Sequence, residues 1–251
     1  MKIRNKITNT YPIAFHLSGK KIHNRFGWNL WEEFKKNISD QCMNLTNETL
    51  RDDVSVCFMS YGYDQTQLME QSLKYFNIEY NNIAENNEIN NKLEFGELQL
   101  AKCKLLFDFL QKNKTKYVIG WDVTDVFFID HPNRIVEKFE NEFKCEMLMN
   151  AEIKCWPKQA RYVYRQLERK NDYETTLFKY LNSGLFIAKS EFYMQIYEEL
   201  INKPALGNDI ADQAKFHQIY LDYFPRLQLD MDCKIFQNTG RVDPTIFEIE
   251  K

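Results

Sequence analysis

The chain has 251 residues and a formal net charge of −3, from 33 Lys plus Arg against 36 Asp plus Glu, which excludes a basic protein that coats nucleic acid. A hydrophobic fraction of 44% with 15% aromatic residues suits a packed core and excludes a disordered tail. No apolar run reaches the ~18 residues that a membrane helix needs, and eight Gly with six Pro leave no room for a flexible linker, so residues 1–251 read as a single domain without a nucleic-acid or membrane partner.

In chain order, residues 11–16 read as a short strand closed by a Ser18-Gly19-Lys20 turn, and residues 28–38 as an amphipathic helix with Trp28, Leu30, Trp31 and Phe34 on one side. Polar residues 39–53 read as a loop, 54–59 as a strand, and the stretch after Asp64 as a helix presenting Leu68, Ser72 and Phe76. The Asn- and Glu-rich residues 79–93 read as an exposed loop, and 96–111 as a long helix. Residues 117–128 form two apolar strand-like pieces around a polar break at Asp122 to Asp125. Helices at 132–140 and 157–169 flank a strand at 147–149; a strand at 184–188 leads into a helix at 190–202; a helix starts at Asp209 and runs to about 221; a last strand lies at 233–236. Strands alternating with helices predict an α/β layer fold with a mostly parallel sheet, whose ligands bind beyond the carboxyl ends of the strands.

The six cysteines form no C-x-x-C pair and read as reduced buried thiols. No apolar segment follows the basic start, so no signal peptide is expected and a cytoplasmic location is.

Chemistry is sought where apolar runs meet polar residues. Asp122 and Asp125, three apart at a strand end, can reach one hard divalent cation; the same spacing also suits solvent-facing turn residues with Asp125 as a cap. His16 at a strand end, followed by a glycine turn and by Lys20 and Lys21, offers a metal ligand and a phosphate clamp, or only a basic surface turn. Asn182-Ser183-Gly184 reads as a turn before a strand, and Asp209 with Asp212 as an acidic helix start.

Together these segments resemble the glycosyltransferase domain of the multifunctional procollagen lysyl hydroxylases and related collagen glucosyltransferases. The family's Asp-x-x-Asp corresponds to Asp122 and Asp125, and its Ala-Glu-x-x-Cys-Trp-Pro to Ala151, Glu152, Cys155, Trp156 and Pro157. Its Tyr-Leu-Asn-Ser-Gly-x-Phe-Ile corresponds to residues 180–187, its acidic run ending Asp-Gln to Asp212 and Gln213, and its Leu-Asp…Ile-Phe-Gln-Asn to residues 229–238. The family's Pro-Ile-x-x-His segment belongs at the domain's carboxyl end, yet its counterpart here opens the chain as Pro12, Ile13 and His16. The resemblance therefore implies a circularly permuted GT-A-like (Rossmann-like) domain. Residues 1–38 would be the transposed metal- and phosphate-binding strand and helix, 39–53 the new connection, and 54–251 the nucleotide-sugar and acceptor core. Departures fall at Leu17 and Ser18, where the family has Gly and Asn, at the early lysines, and at Ala211 in the acidic run.

The resemblance implies a retaining, Mn²⁺-dependent transfer of glucose or galactose from a UDP-sugar to hydroxylysine, galactosyl-hydroxylysine or a similar hydroxyl acceptor in a collagen-like or other partner. Asp122, Asp125 and His16 would hold the metal; Ser18, Gly19 and Lys20 or Lys21 would face the phosphates; Lys102 would lie near the donor and Ser60 by the uridine or ribose. Asp212 would face sugar or acceptor, with Gln213 and Asn182 bonding hydroxyls, and Trp156 would line or gate the sugar pocket or else sit in the core. A non-catalytic UDP-sugar-binding module is the alternative, and a two-metal phosphodiesterase is disfavoured because further clustered His and Asp residues are lacking. Oligomeric state stays open, with a homodimer as one option. The Asn-, Lys- and Ile-rich composition points to an AT-rich genome, such as a viral one.

Overall fold

The computed structural model describes residues 2–18, 25–41, 48–59, 67–84, 93, 95–122, 125–170, 173, 176–207 and 209–250. Its elements run β1 (Lys2–Asn5), β2 (Ala14–His16), α1 (Arg25–Gln41), β3 (Val54–Phe58), α2 (Gln67–Tyr75), β4 (Asn81–Asn82), α3 (Phe95–Lys112), β5 (Tyr117–Trp121) and β6 (Val126–Phe128). They continue α4 (Pro132–Glu142), β7 (Met147–Glu152), α5 (Arg161–Leu167), β8 (Tyr180–Lys189), α6 (Ser190–Asn202), α7 (Asp212–Tyr223), β9 (Leu227–Leu229), β10 (Phe236–Asn238) and β11 (Phe247–Glu250).

The central sheet has six strands in the order β4-β3-β5-β8-β7-β9, and only β8 runs against the other five. Both of its faces are covered, as a mostly parallel sheet requires. Alternate side chains sort to the two sides with the period of two that a strand imposes. Val118, Met147, Met149, Phe186 and Ala188 join one core with α3, α5, α6 and α7. Ile119, Leu148, Leu185 and Ile187 join the other with α1, α2 and α4. A second sheet, β10-β2-β6, lies in that other core, with β2 parallel to β10 and antiparallel to β6. A two-stranded ribbon pairs β1 with β11, setting Lys2 opposite Glu250 and Arg4 opposite Glu248. Among the described residues, no helix is long and apolar enough to cross a membrane. The described cysteines, Cys57, Cys103, Cys145, Cys155 and Cys233, are all free and buried.

Several expected boundaries move, each for a local reason. The first helix runs Arg25–Gln41 and so enters the expected 39–53 connection; no Gly or Pro stands between Trp28 and Gln41 to stop it. The helix expected at 157–169 splits into a 3₁₀ turn, Lys158–Ala160, and α5. The helix expected from Asp209 starts at Asp212, because Asp209 closes a turn with Leu206 and its carboxylate accepts from the Ala211 N–H. The Asn182-Ser183-Gly184 stretch is no turn but the interior of a ten-residue strand. The strand expected at 233–236 begins at Phe236, because the N–H groups of Lys234, Ile235 and Phe236 donate to the Asp230 carboxylate at 2.7–2.9 Å instead of to a ladder. Four short strands were not expected: β1, β4, β9 and β11. Asp64, the expected cap of the second helix, lies outside the described residues.

Candidate functional site

A notch opens where β5 ends. Trp121 is the last β5 residue paired with β8, opposite Leu185. On the other edge of β8 the register with β7 jumps from Met149–Phe186 to Asn150–Asn182, leaving residues 183–185 without a β7 partner. Bulges of this kind re-aim side chains beside active sites. The Asp122 N–H donates to the Gly184 carbonyl at 2.8 Å, tying the end of β5 to the middle of β8, and the Leu17 N–H donates to the Asp125 carbonyl at 2.7 Å, tying the end of β2 to the start of β6. Gly184 is required there: a Cβ on it would stand 2.4 Å from His16 Cε1.

His16 is buried, and its Nε2 lies 3.3 Å from Asp125 Oδ2. Its Nδ1 lies 2.8 Å from Asn182 Oδ1, which can only accept, so Nδ1 carries the hydrogen and Nε2 is turned toward the carboxylates. Asn238 Nδ2, at 3.4 Å from the same Nδ1, is the weaker neighbour. Burial opposes charge on the ring, but Asp125, then Asp122 and Glu152, outweigh it and raise His16 to about 9. His16, Asp122 and Asp125 each place a ligand atom within 4.8 Å of the others'. Asp125 Oδ1 is buried and has no hydrogen-bond partner among the described residues. An imidazole nitrogen, two carboxylates and an orphaned anionic oxygen fit a divalent cation.

A second arm adjoins the first through Lys102 on α3. Its Nζ lies 2.7 Å from Asp122 Oδ1 and 3.0 Å from Asp212 Oδ2. The Asp212 contact is one of charge, since that oxygen makes no directed hydrogen bond. Burial would discharge the ammonium, but Asp122 and Asp212 hold its pKa above the usual lysine value. Burial raises the Asp212 pKa despite Lys102, whereas at Asp122 burial is outweighed by Lys102 and His16, which lower it. Asp212 Oδ1 accepts from Ser183 Oγ at 3.2 Å and from the Gln213 N–H at 2.7 Å. The Gln213 amide accepts from the Ser183 N–H at 3.1 Å and donates to Glu152 Oε1 at 3.0 Å and to the Trp156 carbonyl at 2.7 Å. Burial lifts Glu152 to about 7, against the lowering effect of Gln213 and His16.

His16, Lys102, Asp122, Asp125, Asn182, Asp212 and Gln213 thus belong to one network built from five segments of chain. Ser18 stands beside it, its Oγ donating to Asn238 Oδ1 at 2.8 Å. Trp156 is 48% exposed and is therefore not a core aromatic. Ser60, Gly19, Lys20 and Lys21 lie outside the described residues. Sequence reasoning assigned no role to Glu152, Ser183 or Asn238. Each sits inside a motif already quoted, and only the remote partner that shows its purpose was lacking.

Residues 55–249 match a family model described as the PLOD GT domain. The chain is 30% identical over 202 residues to the multifunctional procollagen lysine hydroxylase and glycosyltransferase of Caenorhabditis elegans, covering 75% of this chain and 26% of that protein. The chain therefore spans about a quarter of that relative's length. The apo crystal structure of mouse xyloside xylosyltransferase 1 superposes over 85% of this chain and 82% of that one, with 12% identity and a TM-score of 0.41, a likeness too distant to carry function.

Proposed function

The chain belongs to the PLOD GT domain family, a glycosyltransferase family, and from that membership we propose that it moves glucose or galactose from a UDP-sugar to a hydroxyl acceptor, with Mn²⁺ held by His16, Asp122 and Asp125. The observation that carries this reading is the convergence of those three side chains, with the unpartnered Asp125 oxygen among them. When bound, a divalent cation supplies positive charge for the diphosphate that departs as the sugar bond breaks.

The other roles fall to the chain's own residues. To Ser18, with Gly19, Lys20 and Lys21 next in sequence, we assign the phosphates, and to Ser60, two positions after β3 in sequence, the uridine or ribose. Lys102 fixes Asp122 toward the metal side and Asp212 toward the sugar side with one ammonium. Glu152, held by Gln213 and balanced near neutrality, takes the proton of the acceptor hydroxyl. Asn182 orients His16 and, with Gln213, lies within reach of sugar hydroxyls. The exposed Trp156 ring offers an apolar face at the mouth. A collagen-like acceptor bearing hydroxylysine is supported by the name of the worm relative.

The matched span begins at residue 55, so β2 and α1 lie before it, yet His16 meets the metal-side aspartates. This supports reading residues 1–38 as the family's carboxyl-terminal strand and helix moved to the front. The test is UDP release from a panel of UDP-sugars with Mn²⁺. Chelation, Asp122→Ala or Asp125→Ala should each abolish it, and Glu152→Gln should slow it by about 100-fold or more. Full release by either aspartate variant would remove the metal assignment. Nucleotide binding without turnover of any sugar would leave a binding module.

A further inference from the structure

The Trp156 side chain stands in solvent while its neighbours Cys155 and Pro157 are buried. Its backbone is held by two side chains one helical turn apart on α7. Gln213 Nε2 donates to the Trp156 carbonyl at 2.7 Å, and His217 Nε2 lies 3.0 Å from the same oxygen. A carbonyl oxygen only accepts, so His217 Nε2 carries the hydrogen and Nδ1 is left as an acceptor. Nδ1 has its donor in the Tyr164 hydroxyl at 2.6 Å, and that hydroxyl accepts in turn from the Leu181 N–H at 2.7 Å. The chain therefore has one direction: Leu181 N–H to Tyr164 to His217, and His217 to Trp156. It starts one residue before Asn182, the partner of His16, and ends at the backbone carbonyl of Trp156, whose side chain is exposed. His217 is completely buried, and burial pushes its pKa down to about 4, so the ring stays neutral and the direction holds across ordinary pH.

Building on the transferase reading, we infer that His217 is a positioning residue: through Tyr164 it ties the carbonyl of Trp156 to the β8 segment that holds the metal-side histidine, and so sets where the Trp156 ring stands over the sugar. Gln213 alone could anchor the carbonyl, but it is also shared with Glu152 and Ser183. Among the described residues His217 makes no other polar contact than these two, so the Trp156 segment keeps its place even while Gln213 serves the substrate.

The test is a double-variant cycle on the full chain, read by UDP release from UDP-glucose and UDP-galactose with Mn²⁺. His217→Leu should lower kcat/KM about tenfold, the scale of a displaced contact group. Trp156→Ala should lower it at least as much, and the double variant should be no worse than Trp156→Ala alone. His217→Gln, which can still donate to the carbonyl and accept from Tyr164, should recover most of the loss. A second readout needs no activity: acrylamide quenching of the fluorescence that Trp156→Phe removes should shift in His217→Leu while the far-ultraviolet circular dichroism stays the same. If His217→Leu does not fold, Tyr164→Phe enters the same cycle. Losses that multiply in the double variant, or quenching that does not move, would overturn the inference. A wild-type chain that releases no UDP sinks the transferase reading instead, and the quenching result still decides this one.

Discussion

Gly184 matters for what it leaves out. The His16 ring occupies the place a β-carbon would take, so the imidazole reaches Asp125 only because β8 has no side chain at that point. Gly184→Ala should therefore weaken Mn²⁺ binding by about 10–100-fold, the range found when a ligand's supporting contacts are lost, with the fold kept. Isothermal titration with Mn²⁺ would show it, and Asn182→Ala should fall in the same range because it frees the other side of the same ring. His217 gives a residue-scale effect of a different kind. Its folded pKa, near 4, lies below the ordinary value of 6.5. The unfolded chain therefore takes up a proton first as pH falls, and the stability this residue contributes is present above 6.5 and lost as pH drops toward 4. Unfolding free energies from urea titrations at pH 7 and pH 4.5 should show the gap between wild type and His217→Leu narrowing at the lower pH by about 2 kcal/mol.

At the scale of elements, β2 is only three residues long, yet it carries the histidine and is gripped on both edges by β10 and β6. What anchors it from behind is aromatic packing. The Phe127 ring on β6 lies 5.5 Å from Phe15, 5.1 Å from Trp31 and 5.6 Å from Phe34, joining β2 and α1 to the rest of the core. Phe127 is fully buried, so Phe127→Ala should cost roughly 3–5 kcal/mol and loosen metal binding along with stability, as urea unfolding with and without Mn²⁺ would show. The long helices and buried strands were legible from periodicity because their partners impose a regular apolar stripe. The β8 strand was half legible: its apolar end, 184–188, reads as a strand, but Asn182-Ser183-Gly184 carries turn chemistry that long-range pairing overrides. The ribbon strands β1 and β11 hide for a related reason. Each alternates charge with one or two apolar residues, and neither means anything until Lys2 meets Glu250 and Arg4 meets Glu248.

For the whole molecule, the pairing of β1 with β11 brings residues 2–5 against residues 247–250. Joining them by a short linker and reopening the chain within residues 42–47 should give a protein in the family's motif order that still binds Mn²⁺ and releases UDP. Failure of that chain to bind metal while folding normally would count against the permuted reading. The candidate site was readable in the sequence to the extent that motifs were: Asp122, Asp125 and His16 were named together on resemblance although 106 positions separate His16 from Asp122. What remained hidden was the wiring, because Lys102 between two aspartates, or Gln213 between Glu152 and Trp156, is a relation among distant segments that no local pattern encodes.

The grip of β10 on β2 also sets an order of events. His16 and Asn238 stand 222 positions apart in the chain but side by side in the sheet. As the ribosome extends the polypeptide, the histidine emerges first and waits, undocked, until the 222 positions that separate it from its neighbour have been made. A nascent chain halted before β10 would carry His16, Asp122 and Asp125, yet lack the neighbouring strand that holds the imidazole in place, so the three side chains should converge only once β10 has been made.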